Sequence, residues 1–247
     1  IIDAGAAAGV GEPLNVIISN ESDQDVLTPQ GFEEYAESIY FSNGDCAGIT
    51  LGGTQGANLG DGAGTVQQSG LMRYNFMQGD GGTCIESLQG GNHFRYWYQN
   101  GSAANSGAVF LAVSYEMSAS KGHMIVDNGY DFGRDLFVAN ATLSNGTRSP
   151  GGFEYQTTAV DNNSLLAGVQ TSQINHGIPT DGIVKVLTVK ITKRGTIGAG
   201  RDTSNSTDSS SSSSSTSAIS FRPNKATIAA FLITLACFFL LGEFLEA

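Results

Sequence analysis

The sequence predicts an α+β domain, in which one mixed, mainly antiparallel sheet carries helices packed on it, followed by a disordered Ser-rich stalk and a C-terminal hydrophobic tail. Three observations predict the sheet and its helices. In GGNHFRYWYQN, residues 90–100, period-two alternation puts His93, Arg95, Trp97 and Gln99 on one face of a strand and Phe94, Tyr96 and Tyr98 on the other. Residues 108–115 and 183–191 are apolar, β-rich runs that need strand neighbours. Residues 29–41 and 130–143 repeat their apolar positions at helical spacing.

Taken in order, residues 1–12 are Gly/Ala-rich and read as a flexible leader, and the globular ectodomain spans 13–193. LNVIIS at 14–19 is a buried strand. Thr28-Pro29 opens a helix over 29–41, because Pro suits a first turn and Glu33 and Glu34 suit its positive end; Phe32, Tyr35, Ala36, Ile39 and Tyr40 form its buried side. Residues 42–61 are rich in Gly, Asn and Asp, with a strand around Ile49 and Leu51. Residues 65–77 fit an extended segment or a short helix equally well. The Gly-rich runs at 61–64 and 78–82 are turns, since neither a GxxxxGK[ST] pattern nor a GxGxxG after a strand is present. Residues 84–88 lead into the central strand, and 108–115 forms its antiparallel neighbour. A short strand at 123–126 precedes the second helix, whose inward side is Phe132, Leu136, Phe137 and Ala141. Strands at 153–160 and 183–191 complete the sheet.

Residues 194–225 are a polar Ser/Thr-rich stalk with an unbroken Ser run from Ser209 to Ser215. Residues 226–247 are a hydrophobic tail. Small residues, a polar spacer and a terminal apolar run make a glycosylphosphatidylinositol attachment signal, with a spacer of about 8 to 12 residues placing the attachment at Ser212, Ser213, Ser214, Ser215 or Thr216. The rival is a single transmembrane helix. Its span of about 17 residues is short, and Arg222 and Lys225 before it with Glu243 and Glu246 after it oppose the usual charge bias.

Six N-x-S/T sequons, at Asn20, Asn100, Asn140, Asn145, Asn162 and Asn205, agree with passage through the secretory pathway. The chain begins at Ile1, so a signal peptide is expected to have been removed already. Three Cys occur; Cys237 lies in the apolar tail, and of Cys46 and Cys84 the simplest expectation in an oxidising compartment is a mutual bridge, the alternative being two buried free thiols. The expected location is extracellular, at the outer face of the plasma membrane or in the cell wall, with the membrane and cell-wall glycan as partners. Twelve basic residues against a formal charge of −11 supply no Lys/Arg stripe, which excludes nucleic acid.

LNVIIS, GFEEYAESI, GGNHFRYWYQN, NSGAVFLAVSYE and GHMIVDNGYDFGRD together resemble a group of secreted fungal proteins of uncharacterised function, a likeness that covers residues 13–192. The NHFRYW segment and the His-then-GRD segment are similar to the LssY-type C-terminal domain of bacterial membrane proteins, over residues 13–140. Some bacterial relatives join that domain to a lipid-phosphatase-like membrane domain, but this sequence shows no multi-helix region of that kind, so no activity is carried over. The likeness picks out His93, Arg95, Trp97, His123, Asp131, Arg134 and Asp135.

Physically, Asp131 and Asp135 are four apart on one helix face, with Arg134 beside Asp131. His93, His123 and Asp131, with His176 as a further ligand, form a candidate zinc or iron site that leaves positions open for a metal-dependent extracellular hydrolase. The competing reading pairs His93 and Arg95 with Glu116 and Asp135 in an ion network, with Trp97 as plain core. A glycosidase pair would come from Glu86, Glu116 or Glu154, though no spacing singles out two of them. No GxSxG elbow and no HExxH is present. The primary expectation is a non-enzymatic binding or cell-wall-associated module, with stacking of glycan on Trp97 and Tyr98 as one way to work.

Overall fold

The computed structural model describes residues 11–43, 45–46, 49–50, 53–76 and 81–198. In chain order the elements are β1 (Val16–Ile18), α1 (Pro29–Ser38), β2 (Phe41–Asn43), β3 (Asp45–Cys46), β4 (Ile49–Thr50), β5 (Gly56–Asn58), β6 (Thr65–Gln67) and β7 (Gly70–Tyr74). They continue with α2 (Gly82–Gln89), β8 (Gly90–Tyr98), β9 (Val109–Met117), α3 (Gly129–Ala141), β10 (Thr147–Arg148), β11 (Glu154–Asn162) and β12 (Val184–Lys193). Eight strands form one sheet in the order β10-β11-β12-β1-β9-β8-β7-β2. Only β1 and β12 pair in parallel within it, so the sheet is mixed and mainly antiparallel, as expected. The pairs β3–β4 and β5–β6 stand apart as small hairpins.

The central strand alternates as its sequence dictates. Phe94 and Tyr96 enter a core with Phe32 and Tyr35 of α1 and Phe137 of α3, so both helices cover one face of the sheet. On the opposite face Trp97 packs with Phe110, Ala112, Leu59 and Leu166, under the β5–β6 hairpin and the loop before β12. The face that carries His93, Arg95 and Trp97 is therefore buried as well. From Gly90 to Trp97 every residue of β8 is buried.

Local chemistry sets the helix ends. The Thr28 hydroxyl accepts the Gly31 N–H at 3.1 Å with Pro29 at the first position, a capped start. The helix stops at Ser38 rather than at residue 41, because Tyr40 takes a left-handed φ of 68° that turns the chain into β2. That turn swings Tyr40 out to 40% exposure instead of burying it. In α3, Phe137 and Ala141 are inward as expected, but Phe132 is exposed and lies against Tyr115 at 5.1 Å between ring centroids.

Three segments differ more from expectation. Of residues 65–77, the part described, to residue 76, is extended rather than helical and supplies β6 and β7. Residues 84–88 lie in a helix, α2, tied to β3 by the Cys46–Cys84 disulfide. Residues 123–126 form a tight turn, with only a bridge from Ile125 to Glu116, since Gly122 and His123 both take left-handed φ. The boundaries also shift outward. The Gly11 N–H donates to Gln173 O at 3.1 Å, and the Gly198 N–H donates to Glu34 Oε1 at 2.8 Å, so residues 11–12 and 194–198 belong to the body. Asn205, the attachment residues 212–216 and the tail lie outside the described residues. Among those described, no helix is long and apolar enough to cross a membrane.

Helix α3 approaches the sheet where Gly133 faces β9. A Cβ there would sit 2.5 to 2.9 Å from the backbone of Ser114. Gly133→Ala should therefore cost about 1–3 kcal/mol by forcing the helix off the strand, measured as a lower urea midpoint with an unchanged slope.

Candidate functional site

Strand register assembles a row of polar side chains on the face opposite α1 and α3. Arg73 of β7 pairs with His93 of β8, and His93 pairs with Ser114 of β9; Glu116 opposes Gly91 two residues further along β9. Glu86 reaches the same place from α2. Only glycine permits this approach, since a Cβ on Gly91 would come within 2.7 Å of Glu86 Cγ. The turn after β9 then brings His123 to the outer side of Glu116.

The resulting contacts are short. Arg73 Nη1 donates to Glu86 Oε2 at 2.7 Å and to Glu116 Oε2 at 3.0 Å. His93 Nε2 lies 3.2 Å from Ser114 Oγ and 3.3 Å from Glu116 Oε1. His123 Nδ1 lies 3.3 Å from Glu116 Oε2. Glu86 is fully buried, His93 is 1% exposed, and only the His123 side chain, 35% exposed, opens to solvent.

Burial and charge push these groups in opposite directions. Burial raises the Glu86 carboxyl to about 7, with Arg73 only partly restoring it. Burial also lowers His93 to about 4, partly opposed by Glu116, so the imidazole is neutral at pH 7. For Glu116 burial acts upward, but His93 and Arg73 together outweigh it and hold the carboxyl below its ordinary value. One carboxyl that retains its proton near neutrality thus lies beside one that is ionised.

Of the residues singled out in the sequence, His93 and His123 do meet, at the two oxygens of one carboxylate. Asp131 does not join them. It accepts Thr180 Oγ1 at 2.8 Å, the Asp181 N–H at 2.9 Å and Arg134 Nη1 at 3.3 Å. Arg134, fully buried in α3, grips Asp181 with Nη1 at 2.6 Å and Nη2 at 2.9 Å and donates from Nε to Asp135 at 2.9 Å. Asp135 therefore pairs with Arg134 rather than with His93 or Arg95. Arg95 donates to Gly53 O and Gln68 Oε1. Trp97 is core, its Nε1 donating to Val66 O at 3.2 Å. His176 is exposed, in a single turn of 3₁₀ helix with φ 62°.

Of the three glycosidase carboxylates considered, Glu86 and Glu116 converge, whereas Glu154 pairs with Arg148 and Lys193 at the sheet edge. Sequence reasoning missed Arg73 altogether. Its segment carries no decisive periodicity, and only the β7–β8 register reveals that it faces His93. No family model matches the chain, and no curated protein or solved structure matches it either.

The linkage of Glu86 to folding has a definite sign. The folded state keeps its proton up to about 7, whereas the ordinary carboxyl value is 4.5, so this group makes stability fall as pH rises between those limits. His93 acts oppositely between about 4 and its ordinary 6.5. Glu86→Gln removes only the first effect. Relative to the parent protein, it should gain on the order of 2 kcal/mol between pH 5 and pH 8 in urea denaturation. A difference that stays flat across that range would contradict the assignment.

Proposed function

We propose that this chain is the extracellular, glycosylated ectodomain of a surface-anchored protein, held at the plasma-membrane outer face or in the cell wall and acting there as a non-enzymatic binding module. The observation that carries the proposal is where the sequons fall. Asn20, Asn100 and Asn145 are exposed and Asn140 and Asn162 half-buried, so none of the five in the described body is sealed in the core. Asn15 and Asn92, which belong to no sequon, are the buried asparagines. The Cys46–Cys84 disulfide agrees with an oxidising compartment.

The stacking surface expected at Trp97 is not accessible, and Tyr98 is only partly so. Aromatic rings reach the surface instead at Tyr40 and Phe76, on either side of the half-buried Tyr74, with ring centroids 6.1 and 4.9 Å apart. Such a row suits the apolar faces of a cell-wall polysaccharide. Surface hollows of about 270 and 470 Å³ lie elsewhere, and neither is lined by His93, Glu116 or His123.

In cells that make the protein, an antibody to the globular body should stain the intact surface, and peptide N-glycosidase should increase its gel mobility. Phosphatidylinositol-specific phospholipase C should release it. Release by detergent alone would replace the lipid anchor with a transmembrane helix, and intracellular protein without a mobility shift would defeat the reading. In co-sedimentation with insoluble wall polysaccharide, Tyr40→Ala with Phe76→Ala should abolish binding while leaving thermal stability nearly unchanged.

A further inference from the structure

The two buried polar networks differ in how completely they are satisfied. Arg134 places Nε, Nη1 and Nη2 on carboxylates and on Ile183 O, leaving none of its nitrogens idle. Around Glu86 the opposite holds. Glu86 Oε1, Arg73 Nε and His93 Nδ1 are all buried, and none has a hydrogen-bond partner among the described residues. Each such atom costs about 1–3 kcal/mol. Arg73 Nε can only donate, but Glu86 Oε1, on a fully buried side chain, has a lone pair that no described group uses.

Charge decides the sign of that species. Two carboxyl groups, Glu86 and Glu116, face the single guanidinium of Arg73, so a cation is favoured over an anion. Arg73 Nη1 already bridges the two carboxylates, where a cation would bind. The donor atoms decide the class. Carboxylate oxygen with imidazole nitrogen suits a divalent first-row transition metal better than calcium, which takes oxygen alone, or copper(I), which prefers sulfur.

The geometry is compatible. One donor atom from each of Glu86, His93 and Glu116 lies within 4.8 Å of those of the other two. The 3.3 Å from His93 Nε2 to Glu116 Oε1 equals the spacing of about 3.3 Å between donors in a tetrahedral site with bonds of about 2.0 Å. His123, on its left-handed turn at the solvent side, has Nδ1 3.3 Å from Glu116 Oε2.

We propose that Glu86, His93 and Glu116 bind a divalent transition metal such as zinc, with His123 closing the solvent side and Arg73 as the resident cation that the metal displaces. The site is independent of the anchoring and glycan-binding roles proposed above. Its ligand set also differs from the one the sequence suggests, because Glu86 and Glu116 take the place of Asp131 and His176.

The test uses the full glycosylated chain, purified without chelator or a histidine tag, titrated calorimetrically with Zn²⁺ and then Mn²⁺ and checked by elemental analysis. Binding of about one zinc per chain is expected. His93→Ala and Glu116→Gln should each weaken it by about tenfold or more. Arg73→Gln should tighten it by about tenfold, because it removes the competing cation without removing a ligand. That last outcome separates a metal site from an ion pair that serves packing alone, and it remains decisive if His93→Ala does not fold. No stoichiometric zinc or manganese in the parent protein would overturn the proposal, as would unchanged affinity in a folded His93→Ala or unchanged or weaker binding in a folded Arg73→Gln.

Discussion

Strand β8 is enclosed on all sides, and most of the structure follows from that constraint. It pairs with β7 on one edge and β9 on the other, while α1 and α3 cover one face and α2, hairpins and loops the other. A strand in that position cannot leave a polar side chain to water, so each must find a protein partner or remain unsatisfied at a cost. Asn92 donates to Gly133 O, Arg95 to Gly53 O and Gln68, and Trp97 to Val66 O. Those bonds reach α3, the segment before β5, and the β5–β6 hairpin with the residues after it. The polar residues of the strand thus fix where its covering elements sit, and the apolar ones supply the burial that holds them there.

His93 is the exception within this scheme, because its environment is both buried and charged. The low-dielectric surroundings favour neutral forms, which raises Glu86 and lowers His93, while Arg73 keeps Glu116 ionised. The Arg134 network shows how the same residue types behave when geometry is complete. There a bidentate Arg134–Asp181 pair, reinforced by Thr180 and a backbone N–H, ties the start of α3 to the loop before β12. One network has the character of a structural clamp and the other that of a site with unused valence.

Much of the fold was legible because it rests on period and composition. The alternation of 90–98, the apolar run of β9, the Thr28–Pro29 helix start and the two long C-terminal strands all depend on local pattern. The misreadings share one cause. Tyr40, Cys84 and His123 are governed by turns with left-handed φ or by a short helix pinned through a disulfide, and neither leaves a periodic trace. The candidate site was half legible for the same reason. His93 and His123 stood out as rare residue types, and Glu116 as a nearby carboxylate, but Arg73 lies in a segment whose pattern fitted two structures.

The sequence by itself determined the α+β class, the two faces of β8, Cys46 and Cys84 as the pair available for a disulfide, and the residue types from which a site could be built. These follow from spacing, side-chain volume and the elimination of alternatives. Only the tertiary structure decided that Asp131 and Arg134 meet Asp181 and that His93 and Glu116 meet Glu86 and Arg73. Those partners lie on different elements, and their meeting depends on strand register, on a glycine at 91 that lets a helix carboxylate lie against the sheet, and on a turn that returns His123 to its own strand. Non-local register is a property of the whole packed core, and no window of the chain contains it.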